Sequence, residues 1–88
     1  MEIKTALITH YFARIGVAVV SLKRELKVGD TIHILGHTSD FTQKVASMEI
    51  DHHKVQSAGP GDDVALKVTE PVRENDVVYT VAEENAGK

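Results

Sequence analysis

Helical periodicity is nearly absent from this chain, and that absence limits its fold more than any other feature. The best helical window, Val20 to Lys27, sets Leu22 and Leu26 four apart. It offers only about two turns before running into Val28-Gly29-Asp30, which is turn chemistry. What recurs instead is a series of short runs rich in Val, Ile and Thr, separated by Gly and Asp clusters at the spacing of all-β domains. Six or seven strands are expected.

The first runs from Glu2 to Tyr11, with Ile3, Leu7 and Tyr11 on one side and Ala6 and Ile8 on the other. The second, Ile15 to Leu22, is almost continuously apolar and reads as a central strand. Lys27-Val28-Gly29-Asp30 then turns the chain, with Gly29 at positive φ and the Asp30 side chain bonded to nearby backbone. Thr31 to Leu35 follows, with Ile32 and Ile34 on one face and His33 and Leu35 on the other. A polar connection, Gly36 to Asp40, leads into a strand from Phe41 to Ile50, and a short one lies near Lys54 to Ser57. The Ala58 to Asp63 stretch, with Gly59-Pro60-Gly61, is a tight loop. Val64 to Val68 and Asp76 to Val81 complete the set. Residues 1–82 read as one domain, and 83–88, without apolar anchors, as a frayed tail. Because closing a sheet removes its exposed edges, the expected architecture is a small, closed, antiparallel-rich β-barrel.

With 88 residues there is room for one small domain, and no cysteine is present, which excludes disulfides, Cys-ligated zinc and a thiol nucleophile. No leader and no apolar run of membrane-spanning length is seen, so a cytoplasmic protein is expected. The net charge is −3, unevenly spread: residues 1–44 carry six basic and four acidic groups, residues 45–88 four basic and nine acidic. A dominant polyanion-binding surface is therefore not expected, and the sole basic patch is Arg14, Lys23, Arg24 and Lys27, diluted by Glu25.

Five histidines raise metal binding and acid–base chemistry. Asp51-His52-His53 is a ligand cluster only if a turn intervenes, because neighbours on a strand point to opposite faces. His33 and His37 could approach one another at the end of their strand. His37, Ser39 and Asp40 have the residue types of a hydrolytic triad, but a hairpin tip does not hold such groups rigidly. Asp62 and Asp63 read as a turn cap rather than a carboxylate pair. No phosphate loop is present, so no nucleotide is expected, and with no third ligand beside the histidines no metal or other cofactor is expected.

Several elements together resemble a known family. Gly16-Val17-Ala18-Val19, the Leu26-Lys27-Val28-Gly29-Asp30-Thr31-Ile32 turn and strand, Met48-Glu49, and Ala58-x-x-Gly61-Asp62-Asp63-Val64-Ala65-Leu66 occur in the order found in the second domain of translational GTPases such as elongation factor Tu. The likeness runs over residues 3 to 82. It implies an elongation-factor-type barrel that performs no chemistry and contacts tRNA or the ribosome. Arg14, Lys23, Arg24 and Lys27 would then pair with phosphates, and Tyr11 and Phe12 would serve as stacking platforms. The chain departs from that family in its acidic charge, its shorter turn at Lys23 to Glu25 and its lack of a GTPase domain. A similar segment also resembles the C-terminal part of collagenase-like bacterial peptidases. The leading expectation is a non-enzymatic module binding RNA or a translation-related protein. The alternative is an accessory protein docking on an enzyme such as a collagenase-like peptidase. A third reading is a small metal-dependent hydrolase built on the histidines. Oligomeric state is not legible.

Overall fold

Ten strands account for most of residues 2–82, the part of the chain that the computed structural model describes. They are β1 (Glu2–Phe12), β2 (Val17–Leu22), β3 (Leu26–Lys27), β4 (Thr31–Leu35), β5 (Asp40–Lys44), β6 (Met48–Ile50), β7 (His53–Val55), β8 (Ser57–Ala58), β9 (Asp63–Lys67) and β10 (Val77–Val81). Eight of them form one antiparallel sheet in the order β5-β4-β10-β1-β2-β9-β6-β7, and β3 pairs with β8 as a separate ribbon. The expected tail at 83–88 lies outside the described residues.

Alternation along β2, β4 and β9 sets the core. Ala18, Val20 and Leu22, then Ile32 and Ile34, then Val64 and Leu66 all turn inward and are essentially unexposed, as a period of two demands. Long β1 does not alternate simply. Its register slips between Lys4 and Ala6 and again between Ile8 and His10. Each slip admits one extra residue and reverses the facing of the residues beyond it. Ala6 and Ile8 point into the core, and past the second slip Tyr11 joins them, so the expected grouping of Tyr11 with Ile3 and Leu7 is corrected. Thr5, the extra residue at the first slip, is 1% exposed. Its hydroxyl donates to the Ile3 carbonyl at 2.9 Å and lies 2.6 Å from the Thr80 hydroxyl.

The expected run from Phe41 to Ile50 is two strands. Pairing with β4 ends at Thr31↔Lys44, whereas Met48 pairs with Leu66 of β9, so the chain must cross between partners at Val45–Ser47. Backbone bonds fix this corner: the Val45 N–H donates to the Asp30 carbonyl, and the Gly29 N–H to the Val45 carbonyl, each at 2.9 Å. The crossing inverts the alternation and carries Met48 into the core.

The all-β, antiparallel expectation holds, but the closed barrel does not. Among the described residues the ladder has two edges, β5 and β7. In place of a closing ladder the Gln43 side chain reaches across from β5, donating to the Lys67 carbonyl at 2.9 Å and accepting from the Thr69 N–H at 2.8 Å. Edge exposure, the reason for expecting closure, is met instead by brevity: β7 has three residues, two of them His53 and Lys54.

Candidate functional site

The turn chemistry read from the sequence is present. Gly29 sits at φ 97°, and the Asp30 carboxylate accepts from the Lys27 N–H at 2.9 Å. Gly61 sits at φ 91°, and Asp62 accepts from the Gly59 N–H at 2.9 Å, which makes Asp62 a turn cap.

The polar groups considered for catalysis do not converge. Ser39 is buried and donates to Asp76 Oδ2 at 2.5 Å, Asp40 bonds His33, and His37 is exposed. His33 does not meet His37. Its Nδ1 lies 2.9 Å from Glu2 Oε2 and its Nε2 2.6 Å from Asp40 Oδ1. The hydrogen bond to Glu2, then that to Asp40, raises its pKa above the ordinary histidine value despite partial desolvation. Because the carboxylates sit on opposite ring nitrogens, they share no point from which to hold a cation. Among the described residues no group of three or more His, Asp or Glu side chains is placed to bind a metal.

The six residues singled out for nucleic acid are dispersed. Tyr11 packs against the core. Arg14 lies in the β1–β2 turn, whereas Lys23 and Arg24 come after the far end of β2, about 17 Å away at the usual strand rise. Lys23 and Arg24 line a hollow of about 580 Å³ with Lys4, Glu25 and Pro60, while Lys27 belongs to the β3 ribbon. Arg14 therefore stands apart from Lys23 and Arg24.

Phe12 belongs to a different feature, one that local sequence patterns do not isolate. The outward residues of four strands fall in register: Phe12 faces Val17, Val17 faces Lys67, Val19 faces Ala65 and Ala65 faces Glu49. Small Ala65 leaves a hollow between larger neighbours. The result is a groove of about 570 Å³, with Phe12 and Ile15 along one side and Glu49 and His52 along the other. Phe12 is 45% and Ile15 60% exposed, an apolar ridge with nothing over it among the described residues. The His10 ring braces Phe12 at 4.4 Å between centroids, and His10 in turn lies 3.7 Å from Glu74. Phe12 at the end of β1 and Ile15 within the following turn, two large apolar residues at a polar bend, were the available signal. The far wall, thirty and more residues later, gave none.

Comparisons with known proteins agree with one another. A family model described as the peptidase family U32 C-terminal domain matches residues 5–78. An uncharacterised protease of Methanocaldococcus jannaschii is 36% identical over 83 residues, covering 93% of this chain and 20% of that protein. A collagenase of Porphyromonas gingivalis is 37% identical over 71 residues, covering 78% of this chain and 20% of that protein. The chain thus spans about one fifth of the length of the curated relatives it matches. The crystal structure of the C-terminal domain of a Geobacillus thermoleovorans protein described as a U32 peptidase superposes with a TM-score of 0.85 at 21% identity, covering 92% of this chain and 93% of that one. Its selenomethionine variant gives 0.82 at 22% identity, covering 85% and 95%.

These findings overturn the likeness to the second domain of translational GTPases, and with it the translation and RNA-binding readings. Glycine–aspartate bends at strand entrances were the basis of that likeness, and they meet a backbone need that unrelated β-domains share. Among the described residues no helix is long and apolar enough to cross a membrane. With the model match extending over most of its length, the chain belongs to the family of peptidase U32 C-terminal domains.

Proposed function

We propose that this chain is a non-catalytic protein-contact domain that docks on a U32-type catalytic region through the Phe12–Ile15 groove. The exposed apolar ridge is the observation that carries the reading: a phenylalanine and an isoleucine stand in solvent beside a hollow with an apolar floor, where an anchor side chain could be desolvated. The relatives support it, since this segment is one fifth of proteins named as a protease and a collagenase, and the hydrolytic activity in those names belongs to the longer chains. The dispersal of His37, Ser39 and Asp40 supports the non-catalytic part.

The test is calorimetric titration of this chain into the U32 catalytic region of the same organism, produced without its own C-terminal domain. Saturable binding is expected, and Phe12→Asp or Ile15→Asp should weaken it by about tenfold or more, the loss typical of a central apolar anchor. Equal affinity of both variants and the wild type would exclude the groove as the contact.

A further inference from the structure

Ala65 lies in the floor of the groove, and the side chains around it are longer than its own. Val19 stands across from it on β2 and Glu49 across from it on β6, with Lys67 two positions along the same strand. Directly opposed Cβ atoms in such a ladder are about 5 Å apart and diagonal ones about 7 Å, so a single methyl among longer neighbours leaves a pit whose depth that one residue sets. Nothing in the strand itself asks for alanine, because the position faces outward and strands favour branched or aromatic residues. Phe12, Ile15 and Val17 supply the apolar lining beside the pit. The carboxylate and the ammonium of the rim cancel: Glu49 and Lys67 are diagonal neighbours on β6 and β9, and neither takes part in an ion pair among the described residues. A charged side chain entering the pit would meet attraction and repulsion together while losing its water.

We propose that Ala65 is the specificity-determining residue of this groove, and that it admits one large uncharged side chain, of leucine or phenylalanine size, from the U32 catalytic region. The inference rests on the docking function above and adds to it the chemistry of the anchor. The occupant follows from the comparisons: this chain matches a C-terminal domain, and most of each curated relative lies outside the matched segment. Seating the anchor on the Ala65 methyl, against Phe12 and Ile15, removes apolar surface of both partners from water. Glu49 and Lys67 then border the contact as a polar rim. Selection works by exclusion, since a bulkier floor closes the pit and a charged anchor finds no net counter-charge.

The experiment pairs thermal unfolding with the same titration, using Ala65→Ser, Ala65→Val and Ala65→Leu. Serine keeps the pit open, so Ala65→Ser should bind the catalytic region as the wild type does. Ala65→Val should weaken binding about tenfold and Ala65→Leu further, the sensitivity usual for added methylene groups in an apolar pocket. Because the position faces outward, all three should melt near the wild type. A residue with a merely structural role would move the melting temperature and the affinity together, whereas here affinity alone should fall with side-chain volume. The anchor class is read separately by nuclear magnetic resonance, with N-acetyl-leucinamide and N-acetyl-lysinamide as probes at millimolar concentration. The leucine probe should shift the backbone amides of Ala65 and Leu66 in the wild type and not in Ala65→Leu, and the lysine probe should leave them unmoved. If affinity is the same across the Ala65 series while Phe12→Asp weakens it, or if the lysine probe shifts those amides as strongly as the leucine probe, this inference is overturned and the docking function stands. If the wild type itself fails to bind the catalytic region, both fall.

Discussion

Asp76 is a carboxylate with little access to water, 5% exposed, and its partners come from two separate turns. It accepts from Ser39 Oγ at 2.5 Å and from the Arg73 N–H at 2.9 Å, so it ties the β4–β5 hairpin to the turn that precedes β10. Gly36 makes room for it: a Cβ there would overlap Asp76 Oδ1. Gly36→Ala must therefore displace a hydrogen-bonded carboxylate, and urea denaturation should show a loss of about 2–3 kcal/mol, comparable to removing bonds to a charged group. Asp76→Ala should cost at least as much, because the buried Ser39 hydroxyl and the Arg73 N–H both lose their acceptor. A smaller loss, under about 0.5 kcal/mol, is what ordinary surface substitutions give and would exclude the bracket. None of this was legible in sequence. Asp30 and Asp62 act on neighbours three residues away, and their roles could be read directly. Asp76 and Ser39 lie thirty-seven positions apart and meet only because β4 and β10 are paired.

His33 joins elements in the same manner. It projects from β4 across the outer face, beside Tyr79 of β10 with ring centroids 6.2 Å apart, to Glu2 of β1 on one side and Asp40 of β5 on the other. Both ring nitrogens can donate only in the imidazolium form. With its pKa raised above the unfolded value of about 6.5, the contribution to stability is full below that value and is lost as pH rises through the folded pKa. The stability difference between wild type and His33→Gln, measured by urea denaturation from pH 5.5 to 9, should accordingly be largest at the acid end and shrink toward alkaline pH. A difference that grew with pH would refute the bridge. The positions of β2, β4, β9 and β10, and the inward facing of Ile32 and Ile34 against the outward facing of His33, were legible from alternation alone, whereas the ribbon strand β3 and the division of residues 41–50 into β5 and β6 were not. The two slips of register in β1 were not. Each extra threonine is accommodated by partner strands whose identity a single sequence does not state.

At the level of the whole molecule, the sheet curls around one core while keeping two edges, and the Gln43 side chain ties one of them, β5, to the end of β9. The proposed docking surface belongs to this level, because β1, β2, β9 and β6 each give the groove a wall or a floor residue. Association through such an apolar surface should show a negative heat-capacity change by calorimetry and weaken only a few-fold between 50 and 200 mM salt. Contacts that neutralised six to ten phosphates would lose roughly 10³–10⁵ in affinity over the same range, so a steep salt dependence would tell against the proposed mode. Composition, alternation and glycine–aspartate bends were enough to determine an antiparallel all-β chain and most of its turns, because those signals act over two to four residues. Which outward side chains gather into a groove, which carboxylate meets which hydroxyl, and whether the sheet closes were decided only by strand order and register. These bring together residues that are tens of positions apart, and loop closure over such distances leaves no local trace in the sequence.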